Sequence, residues 1–331
     1  MRRSKAASRR LMLALLAVLA AVVAGSATPA ATAAAGGAAV ECGNWAESNW
    51  AFGALDRLAP SSTARGTGRT ELVRRGIADG TEISGKKPGV GPNFAATIQT
   101  YVHVITDGDE GEVSAEVINQ QITVLNMTFA GFRGGANTGF SFVLAGLDYT
   151  DNAEWFGYDA STGAGFATEL EMKAALKQGD ATALNIYVNS GNGYLGYAYY
   201  PSIVTSQQYR VLDGVVLHYG SLPGGFIEGF DLGFTATHEV GHWLGLAHTF
   251  EQGCIGHGDF VDDTPAMLVP TSGCPEGKDT CTKKNDPGLD PIHNYMDYSD
   301  DACYFEFTPG QAERAQTQYL HWRLQHGYNG S

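Results

Sequence analysis

Positive charge is scarce in this 331-residue chain, where 21 Lys and Arg stand against 35 Asp and Glu. Five of the basic residues, Arg2, Arg3, Lys5, Arg9 and Arg10, crowd the first ten positions, so 16 remain to face 35 acids, a net of about −19. Such a surface repels phosphate backbones, which excludes nucleic acid as a partner. Long apolar runs are equally few. Leu11 to Val23 follows the basic start and ends in small residues between Gly25 and Ala33, the build of a secretory signal rather than of a membrane span. Ser8-Arg9-Arg10-Leu11-Met12-Leu13 also fits a twin-arginine export signal, and the export route stays open. With no second apolar stretch, no membrane association is expected once residues 1–30 are removed as a signal peptide. Phosphate-binding glycine loops, serine-nucleophile motifs and internal repeats are missing too. With 44% hydrophobic and 17% charged residues, the chain is neither disordered nor many-domained.

What is present centres on Thr235–Phe250, TATHEVGHWLGLAHTF. Residues four apart on a helix stack on one face about 6 Å apart, so His238 and His242 can converge on one metal ion. Gly245 permits a positive φ that ends the helix and lets His248 return as the third ligand. Three neutral imidazoles suit zinc and leave a fourth position for water, the mark of a catalytic site. Glu239, not needed as a ligand, is then free to take a proton from that water. The alternative, a core helix with chance histidines, requires three His, a Glu and a Gly to coincide.

Residues 31–75 are rich in Gly, Ala, Ser and Pro and hold Arg65, Arg69, Arg74 and Arg75, which predicts an exposed, cleavable pro-segment ahead of a catalytic domain over 76–331. Within that domain, alternation predicts strands at Thr97–Ile105, Phe140–Leu147, Leu184–Val188, Tyr194–Tyr200 and Gly214–His218. Pro201 marks the fourth as an edge. Ser114 caps a helix with the stripe Ile118, Ile122, Leu125, Phe129, and Thr168–Lys177 forms a second. Strands alternating with helices imply an α/β (α+β) fold with a twisted mixed sheet and the zinc helix packed against it. After His248 the chain turns irregular until a last helix that opens with Thr308, Pro309 and a Gln311 capping box, its inner face carrying Ala312, Ala315, Tyr319 and Trp322.

The five cysteines divide unevenly. Cys254, Cys274, Cys281 and Cys303 suit two disulfides in an exported protein, with three connectivities open. Cys42 falls in the pro-segment, either as a thiolate that fills the open zinc position in a zymogen or as an incidental thiol. Asp259, Asp262, Asp263 and Thr264 in GDFVDDTP are either a calcium site or solvated loop acids. Tyr298 is either structural or a donor to the oxyanion of a tetrahedral intermediate. His103, His218, His257, His293, His321 and His326 lack partners at ligand spacing. Asn126-Met127-Thr128 and Asn329-Gly330-Ser331 match the N-glycosylation pattern.

HEVGHWLGLAH from His238, followed by NYMDY from Asn294, resembles the metzincin metallopeptidases, with Met296 as the methionine of the turn beneath the zinc. GC at Gly253, GDFVDDTP, NYMDYSDDAC ending at Cys303 and FTPGQ from Phe307 narrow the resemblance to the pappalysin (cytophagalysin-like) family. The resemblance is dense over 235–314. It implies a secreted zinc endopeptidase acting on protein or peptide substrate, with His238, His242 and His248 as zinc ligands, Glu239 as general base and Tyr298 as an aid to the transition state. It also implies disulfides Cys254 to Cys281 and Cys274 to Cys303, calcium near Asp259 and Thr264, and a pro-segment cysteine such as Cys42. One departure concerns specificity. Some relatives that cleave before Arg or Lys carry an acid directly before the last cysteine, whereas here Ala302 precedes Cys303; Asp300 and Asp301 lie near enough to substitute, and the preference stays open.

Overall fold

A computed structural model describes residues 89–328, apart from 161, 256–257 and 283–287. The expected signal peptide (1–30) and pro-segment (31–75), with Cys42, lie outside the described residues, as do His257 and the Asn329 glycosylation sequence.

Five strands form one sheet in the order β2-β1-β3-β5-β4. They are β1 (Ala96–Thr106), β2 (Phe140–Asp151), β3 (Leu184–Asn189), β4 (Gly196–Ala198) and β5 (Val215–His218). The first four in spatial order run parallel, and β4 closes the edge antiparallel to β5, which makes the sheet mixed. Alternation along the strands splits the core in two, since a strand points successive side chains to opposite faces. Leu184, Ile186, Val188, Val215 and Leu217 face α1 (Ala115–Phe129) and the later helix α4 (Phe234–Trp243). Tyr187 and Val216 face the other way, toward Phe166 and Met172 of α3 (Gly163–Leu176). Ser114 caps α1, whose buried stripe is Ile118, Ile122, Leu125 and Phe129.

Three elements depart from the pattern read in the sequence. Helix α3 starts five residues before Thr168, because the Thr162 side chain accepts from Gly165 N. Gly165 serves there as close packing, not as a break: a Cβ on it would lie 1.9 Å from Asp159 O. The short helix α2 (Ala153–Phe156), capped by Asn152, carries no hydrophobic period long enough to register. Strand β4 is three residues long instead of seven, flanked by 3-10 turns at Gly191–Gly193 and Pro201–Thr205.

The last helix, α5 (Pro309–Gln318), has the Thr308 cap and the reciprocal Gln311 contact of a capping box. It then widens into a π-helical turn, Tyr319–Gln325. The wider turn shifts the register, so Trp322 is only half-buried and Arg323 turns inward. Its guanidinium grips both oxygens of buried Asp213 at 3.0 and 3.2 Å, donates to Trp243 O at 2.9 Å and lies over the Trp243 ring. Lys177 adds a second cation 3.3 Å from the same carboxylate. Burial alone would raise the Asp213 pKa, but Arg323 and Lys177 together hold it below its ordinary 3.8.

Removing one member of a buried pair strands the other charge. Arg323→Met is expected to cost about 3 kcal/mol in denaturant unfolding, the low end for such a change because Lys177 still faces Asp213. A carboxylate whose folded-state pKa is depressed stabilises fully above its unfolded value and loses that contribution as pH falls through the folded one. The difference between the two proteins should therefore hold above about pH 4 and shrink in more acid solution.

Candidate functional site

Helix α4 begins at Gly233, whose φ of +82° is left-handed and whose residue type offers no side chain to cap the free N–H groups. Asp301 supplies the missing acceptor from the far end of the chain: its Oδ2 takes Leu232 N at 2.9 Å and Phe234 N at 3.4 Å. A carboxylate there also suits the positive end of the helix dipole. The helix runs to Trp243, and Gly245 at φ +92° turns the chain back. A side chain at Gly245 would collide with Gln318, its Cβ falling 2.6 Å from Cγ.

The turn brings His248 to His238 and His242. The three Nε2 atoms lie close together, His242 to His238 at 3.1 Å and His242 to His248 at 3.0 Å. No proton links the first pair. His238 donates Nδ1–H to Tyr295 O at 2.7 Å, and His242 donates Nδ1–H to Leu246 O at 2.8 Å. A neutral imidazole has one N–H, so both Nε2 atoms present lone pairs to each other. Burial lowers the pKa of all three rings, that of His242 to about 4, which keeps them neutral. Facing lone pairs at this distance repel unless a cation lies between them. A tetrahedral ion with nitrogen ligands at about 2.0–2.1 Å requires nitrogens roughly 3.3 Å apart, so the donor set fits zinc in type and spacing.

Met296 packs beneath the site. The turn that carries it is closed by Asp297 N to Asn294 O at 3.0 Å and by Met296 N to Asn294 Oδ1 at 3.0 Å. Asn294 is itself tied to Gln311 in both directions, at 2.7 and 2.9 Å, so the start of α5 holds the turn. A Cβ on Gly241 would sit 2.4 Å from Met296 Sδ, so only glycine between the two ligands allows this approach. Gly196 of β4 plays the same part for Glu239: an added Cβ would meet Glu239 Cγ at 2.9 Å. Glu239 is buried, and burial alone pushes its carboxyl up to about 8; a bound dication would draw it down again.

Tyr298 places its hydroxyl 3.0 Å from His248 Nε2, at the rim of the histidine cluster. Beside His238 and Glu239 a small cavity opens, lined also by Phe234, Asp297, Asp301 and Tyr304. Of these lining residues, Asp297 and Asp301 each have one buried oxygen, Oδ2 and Oδ1, without a hydrogen-bond partner among the described residues.

The remaining residues singled out in the sequence fall elsewhere. Asp259 and Thr264, expected at a calcium site, are engaged with each other: Thr264 Oγ1 donates to the Asp259 carboxylate at 2.7 and 2.8 Å, and Val261 N adds a third bond. Asp263 accepts from Thr308 Oγ1 at 2.6 Å and Gly310 N at 2.8 Å, which seats α5. Cys254 is bonded to Cys281 and Cys274 to Cys303. His103 is buried between Asp148 and Asn185, and His293 donates to Cys303 O. Asp301 as helix cap, Gly196 and Gly241 as clearances, and Gln311 as brace have no local sequence signal for these roles, because each depends on a neighbour distant in the chain or on space rather than on a motif.

Several known metalloproteases are similar to this chain in sequence or structure. The family model for peptidase M43, described as pregnancy-associated plasma protein-A, matches residues 184–319. An extracellular metalloprotease of Pyricularia oryzae is 49% identical over 234 residues, 69% of this chain and 77% of that protein. One from Sordaria macrospora is 44% identical over 240 residues, 71% and 79% of the two chains. Among solved structures, Tannerella forsythia mature mirolysin in complex with a cleaved peptide superposes with a TM-score of 0.59 at 29% identity, covering 70% of this chain and 95% of that one. A promirolysin mutant gives 0.63 at 28% identity, covering 77% and 91%. A five-stranded mixed sheet, three convergent imidazoles on and after one helix, and these matches together place the chain in the M43, or pappalysin, family of metalloproteases.

Proposed function

We propose that this protein is a secreted zinc endopeptidase that hydrolyses protein or peptide substrates, with Glu239 as general base and with residues 31–75 removed from an inactive precursor. The observation that carries the reading is the pair of lone-pair-bearing Nε2 atoms 3.1 Å apart, joined by that of His248, beside a buried carboxylate. The extracellular relatives and the metalloprotease family support the same compartment and chemistry.

Held by His238, His242 and His248, zinc would supply a Lewis acid that polarises the scissile carbonyl and makes water acidic. Glu239 accepts the water proton and later delivers it to the leaving amine, one carboxylate serving as base and then acid. Packing against Gly196 fixes its stem, so the carboxylate is oriented before substrate arrives. Tyr298 donates its phenolic hydrogen to the oxyanion of the tetrahedral intermediate. Met296 sets the floor, and Tyr295 O and Leu246 O fix the first two rings. The extended substrate pairs with the edge strand β4. Calcium enters this reading as the family resemblance implies it: Thr264 Oγ1 lies 2.7 and 2.8 Å from the Asp259 carboxylate oxygens and 3.0 Å from Val261 O, an all-oxygen donor set of the kind a hard cation takes.

We read the cavity beside Glu239 as suited to a cationic side chain of the substrate: Asp297 and Asp301 are among its lining residues, each has one buried oxygen without a partner among the described residues, and although burial raises both pKa values, that of Asp301 to about 7, a cation would draw them down. Some relatives that cleave before Arg or Lys carry an acid at the position of Ala302, and we assign that part here to its neighbour Asp301. A precursor form exists for mirolysin, and Cys42 in the pro-segment is the thiolate we assign to the open zinc position before cleavage.

Three outcomes check these assignments. Glu239→Ala should leave one zinc bound per chain while peptide hydrolysis falls by about 10²–10⁴-fold; retained turnover in metal-replete protein would rule Glu239 out as the base. Asp301→Asn keeps an acceptor for the helix N–H groups but removes the charge. In a mixed peptide library it should lose preference for Lys and Arg without losing folded protein, and an unchanged cleavage profile would exclude the cavity as the determinant. Cys42→Ala should give a precursor active without cleavage, whereas a precursor as silent as the unmodified one would remove Cys42 from the inhibition.

A further inference from the structure

The third imidazole is held differently from the other two. His238 and His242 each donate Nδ1–H to a backbone carbonyl, which fixes both tautomer and ring plane. His248 has partners only on its Nε2 side; its Nδ1 has none among the described residues. It also follows the left-handed Gly245, outside the helix that carries the other two. Its main chain is secured by Thr249 N donating to Met296 O at 3.2 Å. Nothing of that kind stops rotation of the ring.

What lies against the ring is Phe250. The two rings are stacked with centroids 4.6 Å apart and planes within 11°. The local chain makes this possible. Thr249 is buried and directs its hydroxyl to Met267 Sδ at 3.0 Å, so residues 248 and 250, on the opposite side, share the half-buried wall of the site. Glu251 N to His248 O at 3.0 Å closes the turn and keeps the two rings in register. Tyr298 stands edge-on to both, 4.9 Å from His248 at 80° and 4.9 Å from Phe250 at 69°. Three rings thus form a box with the imidazole as one wall.

We propose that Phe250 is a positioning residue for the metal: stacked on His248, it supplies the orientation that a hydrogen bond supplies to His238 and His242. The flat face of an aromatic ring restricts tilt of the imidazole in a way that an aliphatic chain of similar size does not, and the edge contact with Tyr298 prevents the pair from sliding as a unit. Through the same contact Phe250 also fixes the phenol that faces His248 Nε2. The inference rests on the zinc reading of the histidine cluster.

The test compares Phe250→Leu and Phe250→Tyr in the secreted protein. Zinc affinity is measured by competition with a chromophoric chelator, and ligand geometry by the visible absorption of the Co(II)-substituted protein. Losing an outer partner of a ligand typically weakens metal binding 10–100-fold, so Phe250→Leu is expected to weaken zinc binding by about tenfold and to alter the Co(II) bands. Phe250→Tyr, which keeps the ring, should restore affinity to within about twofold and return the spectrum. Phe250→Met takes the place of the leucine variant if that protein does not fold. A folded Leu or Met variant with unchanged affinity and spectrum overturns the proposal, and so does a Tyr variant as weak as Leu. Unmodified protein that takes up no zinc overturns the zinc reading, and the role of Phe250 with it.

Discussion

Two nitrogen lone pairs pointed at each other across 3.1 Å are a constraint that the rest of this molecule is built to hold. Left alone, imidazoles in that position would rotate apart. Tyr295 O and Leu246 O prevent it by taking the opposite N–H of each ring. Those carbonyls are placed in turn by the methionine turn and by the reversal at Gly245. The two glycines at 241 and 245 are therefore as much a part of the site as the ligands, since a methyl group on either would enter Met296 or Gln318.

The segment after the helix shows where the acidic surplus of the sequence goes. It has little regular structure, and two disulfides brace it. Its carboxylates act as joints between pieces of backbone. Asp263 seats the start of α5, Asp301 the start of α4, and Asp297 takes Thr271 N at 3.1 Å. Asp290 holds Thr280 through both backbone and hydroxyl and pairs with Lys278 at 3.3 Å. Asp259 meets a hydroxyl and a main-chain N–H of its own turn.

Much of this was legible in the residues because it is local. The zinc-site pattern, the stripe of α1 and the Thr308 capping box each lie within one or two turns of chain, where spacing alone determines which side chains meet. Strand β4 is shorter than its sequence pattern, because alternation persists from Tyr194 to Tyr200 while only three residues find a partner on β5. Helix α3 begins ahead of the stretch that reads as helical, because Gly163 and Gly165 are poor helix formers and the close packing of Gly165 on Asp159 is a contact that spacing does not reveal. Arg323 could not be placed inside from periodicity, since a π-helical turn moves it there and its partner Asp213 is far away in sequence. The contributions of Asp301 and Gly196 were hidden for the same reason: each acts on an element it does not belong to.

Asp301 divides its two oxygens between unlike duties. One completes the first turn of the ligand-bearing helix, and the other is buried without a partner among the described residues, in a residue that lines the cavity next to the base. A lineage that alters this residue would change the lining of that cavity and loosen the helix start in the same step. Cavity lining and scaffold are thereby linked through a single carboxylate, whereas the apolar lining, Phe230 and Tyr304, can change without removing that cap.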